Sequence, residues 1–309
     1  MTTNSLATNY TGAITGNVEA LGHIKRLVLD TVGSEHTRRA YDRALSDFLG
    51  WYIETGQVLL NRASVMAYVA HMKATGVPTS AINQRLSAIR KLAKEAAAND
   101  LLPHHTASGI VDVKGTRQEG QRIGNWLSGQ QAQSTLDAPD LGTLKGLRDR
   151  AILAVFLGCG LRREELANLT VEHIQQREGR WVVVDLVGKR GKVRSVPMPA
   201  WAKFAIDTWT VAAGIAAGPV FLSMRKGDTL TDRPMTTQAL YYVVQTYAPA
   251  GVAPHDLRRT YAKLALKGGA PIEQIGLTLG HESIQTTQRY LGVDLELQNA
   301  PCDVIALHV

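Results

Sequence analysis

Arg162 stands in Gly160-Leu161-Arg162-Arg163-Glu164-Glu165-Leu166, and Lys189 in Gly188-Lys189-Arg190-Gly191. His255 and Arg258 share the segment His255-Asp256-Leu257-Arg258-Arg259-Thr260. His281 follows Leu279-Gly280 directly, and Tyr290 comes nine residues after it. A guanidinium is a planar fork of donors that matches two phosphate oxygens, so Arg162 and Arg258 are candidates for holding a phosphate and stabilising extra negative charge on it. Tyr290 is a candidate nucleophile. A phenol with a pKa near 10 is only about one part in a thousand ionised at neutral pH, so it needs a proton acceptor or positive surroundings. His255, with an ordinary pKa near neutrality, can accept that proton. The ammonium of Lys189 can protonate a departing alkoxide, which is far more basic than itself. The chemistry this set could perform is covalent exchange at a phosphodiester. A side chain displaces one oxygen, and the reaction then runs backward with a different strand end, so the bond energy is kept and no ATP is consumed. Each segment alone has a plainer account: an exposed charge cluster around Arg162, a basic turn around Lys189, a surface helix carrying His255, a capping histidine at His281, or one more core tyrosine among nine.

Taken together and in order, the segments resemble the tyrosine recombinase (phage integrase) family. Its motifs Gly-Leu-Arg-x-x-Glu-Leu, His-x-Leu-Arg and Leu-Gly-His are matched by Gly160 to Leu166, His255 to Arg258 and Leu279 to His281. Lys189 follows the first glycine of a turn, as in the family's hairpin, although Lys192 lies on the same turn three residues later. The resemblance is specific over residues 126–292 and only architectural over residues 18–118. It implies a two-domain DNA clamp and a DNA strand-breaking and rejoining enzyme. Tyr290 would form a 3′-phosphotyrosyl bond and free a 5′-hydroxyl, and exchange would pass through a four-way junction made by four protomers on two DNA sites. It further implies that His281 hydrogen-bonds the scissile phosphate, that Lys189 is the general acid, and that no cofactor or metal takes part. Arg259 continues the family pattern but receives no catalytic role. A type IB topoisomerase, which relaxes DNA by similar chemistry, is the alternative. The placement of the basic helical domain and the Leu-Gly-His segment speak against it. A DNA-binding regulator with a dead site is a third reading, and the intact residue set speaks against that.

The elements that must position these residues are mainly helices with a small antiparallel sheet. Residues 1–17 read as a mobile polar lead, residues 18–102 as a helical core-binding domain, residues 103–125 as a linker and residues 126–309 as the catalytic domain. Ser34 caps a helix whose Tyr41, Leu45, Phe48, Leu49 and Tyr52 recur at three- and four-residue steps. Further helices are expected from about Ser64 to Gly76 and from Thr79 or Ser80 to about Ala98. In the second domain Ser128 reads as an N-cap. Trp181 to Val187 and Lys192 to Pro197 read as a hairpin around the Lys189 turn, with short strands near Glu172 to Ile174 and Pro219 to Leu222.

The 309 residues carry a formal charge of +7, which favours a polyanionic partner, double-stranded DNA first. Both halves are basic: 13 Lys/Arg against 9 Asp/Glu over residues 1–118, and 21 against 18 over the rest. Arg38, Arg39 and Arg43 near the start of one helix, and Arg90, Lys91 and Lys94 opposite the apolar face of another, are candidate DNA contacts. The two cysteines, Cys159 and Cys302, form no metal-type or redox-type pair, and Cys159 reads as a buried inert thiol. That usage and the absence of a signal-peptide pattern suit a cytoplasmic, DNA-associated protein. The apolar run from Ala151 is too short to span a membrane. From about residue 295 the chain is apolar (Leu295, Leu297, Val304, Ile305, Leu307, Val309), and this tail is expected to dock in trans on a neighbouring protomer.

Overall fold

The computed structural model describes residues 18–117, 125–188 and 191–292. The chain divides into two compact units, Met1–Gln121 and Arg122–Val309. Lys189, Arg190 and the tail from residue 293 lie outside the described residues, as do the polar lead and the second cysteine, Cys302.

The first unit is helical: α1 (Val18–Asp30), α2 (Glu35–Glu54), α3 (Arg62–Ala74), α4 (Thr79–Ala98) and α5 (His104–Val111). The stripe of α2 is buried as its spacing requires, with Leu45, Phe48, Leu49 and Tyr52 inside and Tyr41 packed at the edge. Ser34 precedes α2 but its side chain makes no capping bond. The next helix starts two residues before Ser64, because Asn61 is its cap and Ser64 completes the reciprocal pair of bonds. The segment 103–125 differs from the linker expected of it. Ala107, Ile110 and Val113 fall three residues apart and bury in the core of the first unit, so α5 forms there. The chain beyond is tied down as well: Arg90 donates to the Val113 carbonyl, and the Asn83 amide exchanges two bonds with the Thr116 backbone, at 3.0 and 2.9 Å.

The second unit is built on α7 (Leu144–Cys159), which is buried on all sides from Ala151 to Cys159. Around it pack α6 (Gly129–Asp137), α9 (Ala200–Ala213), α10 (Thr237–Tyr247) and α11 (Pro254–Lys267). Ser128 caps α6, and its hydroxyl accepts from the Gln131 N–H. The sheet is antiparallel in the order β1 (Ile174–Arg177), β2 (Arg180–Val187), β3 (Val193–Met198), with Val183 paired to Ile174 on one side and Val196 on the other. The first strand begins later than expected, because residues 171–173 form a 3-10 turn closed by the His173 ring on Thr170. A second hairpin, β4 (Leu222–Arg225) with β5 (Thr229–Pro234), stands where only a short strand had been read. The short helices α8 (Arg163–Ala167), α12 (Ile272–Leu279) and α13 (Ile284–Leu291) complete the unit. Ala262, Ile275, Leu279 and Leu291 bury together and bind the last two to α11. Cys159 is fully buried and its thiol is pushed up to about 12 by burial, which leaves it inert as a nucleophile.

Gly160 ends α7 in the left-handed region, at φ 58°, and a Cβ there would lie 2.5 Å from the Tyr261 ring. Two costs coincide, backbone strain and a steric clash with a packed aromatic. Gly160→Ala should therefore destabilise the protein by about 2 kcal/mol or more and lower the thermal midpoint by roughly 5 °C. An unchanged midpoint in a thermal melt would contradict the close approach of Tyr261.

Candidate active site

Arg162 follows the αL turn at Gly160 and Leu161 and occupies the N-cap position of α8. The helix that starts there places Glu165 one turn on, and its carboxylate reaches back to accept the Arg162 backbone N–H at 2.7 Å. The same carboxylate accepts from Arg162 Nη1 at 2.8 Å, while Nη2 donates to the carbonyls of Leu279 at 3.1 Å and Gly280 at 3.4 Å. Arg258 is almost fully buried and donates to the carbonyls of Gly160 and Leu279. Its Nη1 lies 4.0 Å from Glu165. A third arginine belongs to the cluster. Arg194 on β3 grips both Glu165 oxygens at 2.8 Å and donates from Nε to the Thr278 carbonyl at 2.9 Å.

Two physical features hold these like charges together. Glu165 is one, and the C-terminal end of α12 is the other. Its last carbonyls carry the partial negative charge of the helix and lack partners within it. Burial alone would raise the Glu165 carboxyl, but the bonds from Arg194 and Arg162 outweigh it and hold the group at about 2. Arg258 is lowered to about 10 by burial and by the neighbouring Arg162, so it remains charged at neutral pH.

His255 is the second residue of α11, after Pro254 at the first position. One turn on, Arg258 joins it around a cavity of about 430 Å³ that Arg162 and Tyr241 also line. His255 is exposed as a residue, yet burial of its ring and the charges of Arg259 and Arg258 lower its pKa. His281 sits between α12 and α13, after Gly280 in the αL conformation at φ 62°. Its Nδ1 pairs with the Thr287 hydroxyl at 3.0 Å. Burial, Arg258 and Arg162 depress it to about 4. Both imidazoles are therefore neutral at pH 7.

Tyr290, near the end of α13, lies between the two histidines, with ring centroids 5.5 Å from His255 and 5.2 Å from His281, both edge-on. Arg259 covers the ring at 5.0 Å. The hydroxyl donates to the His255 backbone carbonyl at 3.4 Å, so the proposed base is beside the nucleophile while its imidazole is not yet the acceptor. Burial raises the phenol's pKa, partly offset by Arg258 and Arg259.

Arg162, His255, Arg258, His281 and Tyr290 thus converge from four separate segments of chain. Lys189 lies outside the described residues, but the residue before it is at the cluster: a Cβ built on Gly188 would be 3.8 Å from Arg194 Nη1 and 4.0 Å from Arg162 Nη1. Lys192, the other lysine of the turn, is 3.5 Å from Glu282. In the first unit Arg43 and Lys94 are exposed, whereas Arg38 pairs with Asp30, Arg39 with Glu35 and Lys91 with Glu95. Arg90 is engaged by Val113, a structural use that its helical position alone did not reveal. Arg194 and Thr287 escaped notice in the sequence. The only hint for Arg194 is its alternation position on the return strand, and a threonine beside a motif carries no signal.

The phage integrase family model matches residues 125–296, and the model of the phage integrase N-terminal SAM-like domain matches residues 23–100. Tyrosine recombinase XerC of Myxococcus xanthus is 33% identical over 275 residues, which cover 85% of this chain and 89% of the relative. XerC of Pelobacter propionicus is 32% identical, covering 85% and 86%. Among solved structures, XerH site-specific recombinase bound to palindromic difH substrate superposes with a TM-score of 0.68 at 16% identity, over 89% of this chain and 80% of that one. No helix among the described residues is long and apolar enough to cross a membrane.

The histidine shifts have a definite sign. His281, at about 4, resists protonation because it is buried and because the cluster around it is already positive. In the DNA-free protein its NMR titration should show the neutral ring down to about pH 4, well below the ordinary value near 6.5. Glu165 is lowered too, because the bonds from Arg194 and Arg162 favour its charged form. Its depressed pKa contributes stability that is complete above about pH 4.5 and is lost as pH falls toward 2. Glu165→Gln should accordingly be less stable than the parent at pH 7, by roughly 3 kcal/mol, with the gap closing in acid-denaturation curves below about pH 4.5.

Proposed function

Because the chain belongs to the phage integrase family, the tyrosine recombinases, whose members cut and rejoin DNA, we propose that it exchanges strands between specific DNA sites by attack of Tyr290 on a phosphodiester. The convergence of two arginines, two neutral histidines and one tyrosine carries this reading: Arg162, His255 and Arg258 line one cavity, and Tyr290 lies edge-on between His255 and His281. Arg162 and Arg258 hold the non-bridging oxygens and offset the charge that grows in the transition state. His281 adds a hydrogen bond from Nε2. His255, neutral at working pH, accepts the phenolic proton as the Tyr290 oxygen bonds to phosphorus. The P–O5′ bond breaks as the new bond forms, and Lys189 gives a proton to the departing 5′-oxygen. The product is a 3′-phosphotyrosyl ester and a free 5′-hydroxyl. A 5′-hydroxyl from a partner duplex reverses the step, through a four-way junction.

Fixed guanidinium charges do here the work that a divalent cation does in other phosphoryl-transfer enzymes. The exposed basic residues of the first unit, Arg43 and Lys94 first, contact the backbone of the duplex. Two sites held by four protomers supply both partners. The tail from residue 295 links them by docking in trans into an apolar groove of about 470 Å³ between α6, α7 and α9, lined by Leu136, Leu141, Leu147, Leu157, Trp201 and Phe204. Phe204 and Trp201 are exposed there at 72% and 46%, a large apolar area. The apolar residues of the tail match it in character.

On a nicked suicide duplex that traps cleavage, the parent protein should form a denaturation-resistant adduct, and Tyr290→Phe should form none. Chelator should leave the adduct unaffected. Arg162→Ala should slow adduct formation roughly a hundred- to thousandfold. An adduct on Tyr290→Phe would overturn the assignment of the nucleophile. Deleting residues 296–309 should impair recombination of paired sites more than binding to one site, and recombination at the full rate would rule out docking in trans.

A further inference from the structure

Arg194 has no role in the chemistry above, yet it is held deeper in the protein than Arg162, which has one. Its side chain is 12% exposed, against 34% for Arg162, and it is held by three bonds. Two go to opposite oxygens of Glu165 and one to the Thr278 carbonyl. The contact with Glu165 is the two-pronged fork of guanidinium on carboxylate, the strongest geometry this pair has. Arg162 has only one prong on that carboxylate, from Nη1. Its other terminal nitrogen is turned to the end of α12, and the side chain lines cavities on both sides of itself.

These two facts are linked. A buried carboxylate accepts a second prong wherever one is offered, and Arg162 is tethered beside it on the same short helix. Without Arg194, one Glu165 oxygen keeps only Arg162 Nη1 and the other only the Arg162 backbone N–H, and the carboxylate would draw the whole Arg162 fork onto itself and move toward Arg258, now 4.0 Å away. The charge count points the same way. Arg162, Arg194 and Arg258 against Glu165 leave two net positive charges at the site, and without Arg194 only one remains.

We infer that Arg194 is a positioning residue for DNA cleavage: by occupying both oxygens of Glu165 it prevents that carboxylate from clamping Arg162, and so keeps the Arg162 guanidinium turned toward the cleft. The inference rests on the reading that Arg162 binds the scissile phosphate. It assigns Arg194 no contact with DNA. The residue acts through Glu165, and its loss is repaired by removing the charge that it restrains.

The test uses the full chain and compares binding to an intact site with single-turnover adduct formation on the suicide duplex at saturating protein. Arg194→Gln should bind within about threefold of the parent but cleave roughly thirty- to a hundredfold more slowly. Adding Glu165→Gln to it should recover at least about tenfold of that loss, because the freed carboxylate was the inhibitor. A purely structural Arg194 would make the double variant equal to or worse than the single one, and that result overturns the inference. So does parental cleavage by Arg194→Gln while Arg162→Ala is crippled. Should Arg162→Ala itself cleave normally, the phosphate-binding reading fails and the inference falls with it. If thermal melts show Arg194→Gln unfolded, Arg194→Lys takes its place. A point charge cannot span both oxygens, so the same slow cleavage and the same rescue by Glu165→Gln are expected, and their absence overturns the inference equally.

Discussion

Three guanidinium groups sit around one carboxylate and one helix end, and the rest of the second unit is arranged to allow it. Like charges this close repel by several kcal/mol at the effective dielectric of a partly buried site. Glu165 offsets one of them directly. The carbonyls of Thr278, Leu279 and Gly280 offset much of the remainder, each accepting from at least one of the three arginines. The helix end contributes in two ways. Its carbonyls need donors that no helix can supply to its own last turn, and its dipole is negative at that end. A cluster of cations therefore satisfies α12, and α12 permits the cluster. The arrangement draws on residues more than a hundred positions apart in sequence, so the site exists only when α8, β3, α11 and α12 are all in place.

The electrostatic state of the empty site follows from that cluster. Burial first, and the excess positive charge with it, drives protons off the histidines; that charge would drive them off the phenol too, but burial raises the phenol by more than the arginines lower it. The DNA-free protein thus holds neutral imidazoles beside a protonated tyrosine whose hydroxyl is bonded to a backbone carbonyl. An arriving phosphodiester brings one negative charge into the cavity. That charge offsets the arginines, raises the affinity of His255 and His281 for protons, and so favours the transfer that a nucleophile needs. In the proposed reaction, substrate and base would be coupled through the field of the cluster, with no contact between them required. The free protein is correspondingly protected from using a reactive phenolate in the absence of DNA.

What was legible in the sequence divides along physical lines. Motifs whose spacing reflects one local element were readable: His255 and Arg258 are one helical turn apart, Pro254 starts their helix, and a single short helix follows His281 and carries Tyr290 near its end. The apolar stripe of α2 was readable for the same reason. Partnerships between distant segments were not. Arg194 is one basic residue in a basic hairpin until β3 is folded against Glu165, and Thr287 is one threonine of a pair until α13 turns it inward to His281. Composition misled over residues 103–125, where His, Gly and Ser masked the three-residue spacing of Ala107, Ile110 and Val113. The hairpin of β4 and β5 was missed because its strands are short, half-exposed and carry little alternation.

Tyr290, the proposed nucleophile, and the arginine cluster are fixed to each other mainly through packing. Leu279 is fully buried against Ala262, Ile275 and Leu291, while its carbonyl receives both Arg162 and Arg258. Leu291 follows Tyr290 directly and is fully buried in the same cluster. Thr287, one turn before Leu291 and also fully buried, lies so close to Gly276 that a Cβ there would meet its hydroxyl at 2.8 Å. One small apolar cluster therefore sets the position of the helix end that seats the arginines and of the helix that carries the tyrosine. Interiors packed to crystal-like density transmit displacements of this kind with little loss. A shift of α13 against α12 would carry the phenolic oxygen and the His281 ring together, because Thr287 binds one and precedes the other by three residues. Reaction geometry tolerates errors of only about 1 Å before rates fall by a factor of roughly a hundred. The apolar seam between α11, α12 and α13 is accordingly as much a part of the catalytic apparatus as the charges it aligns.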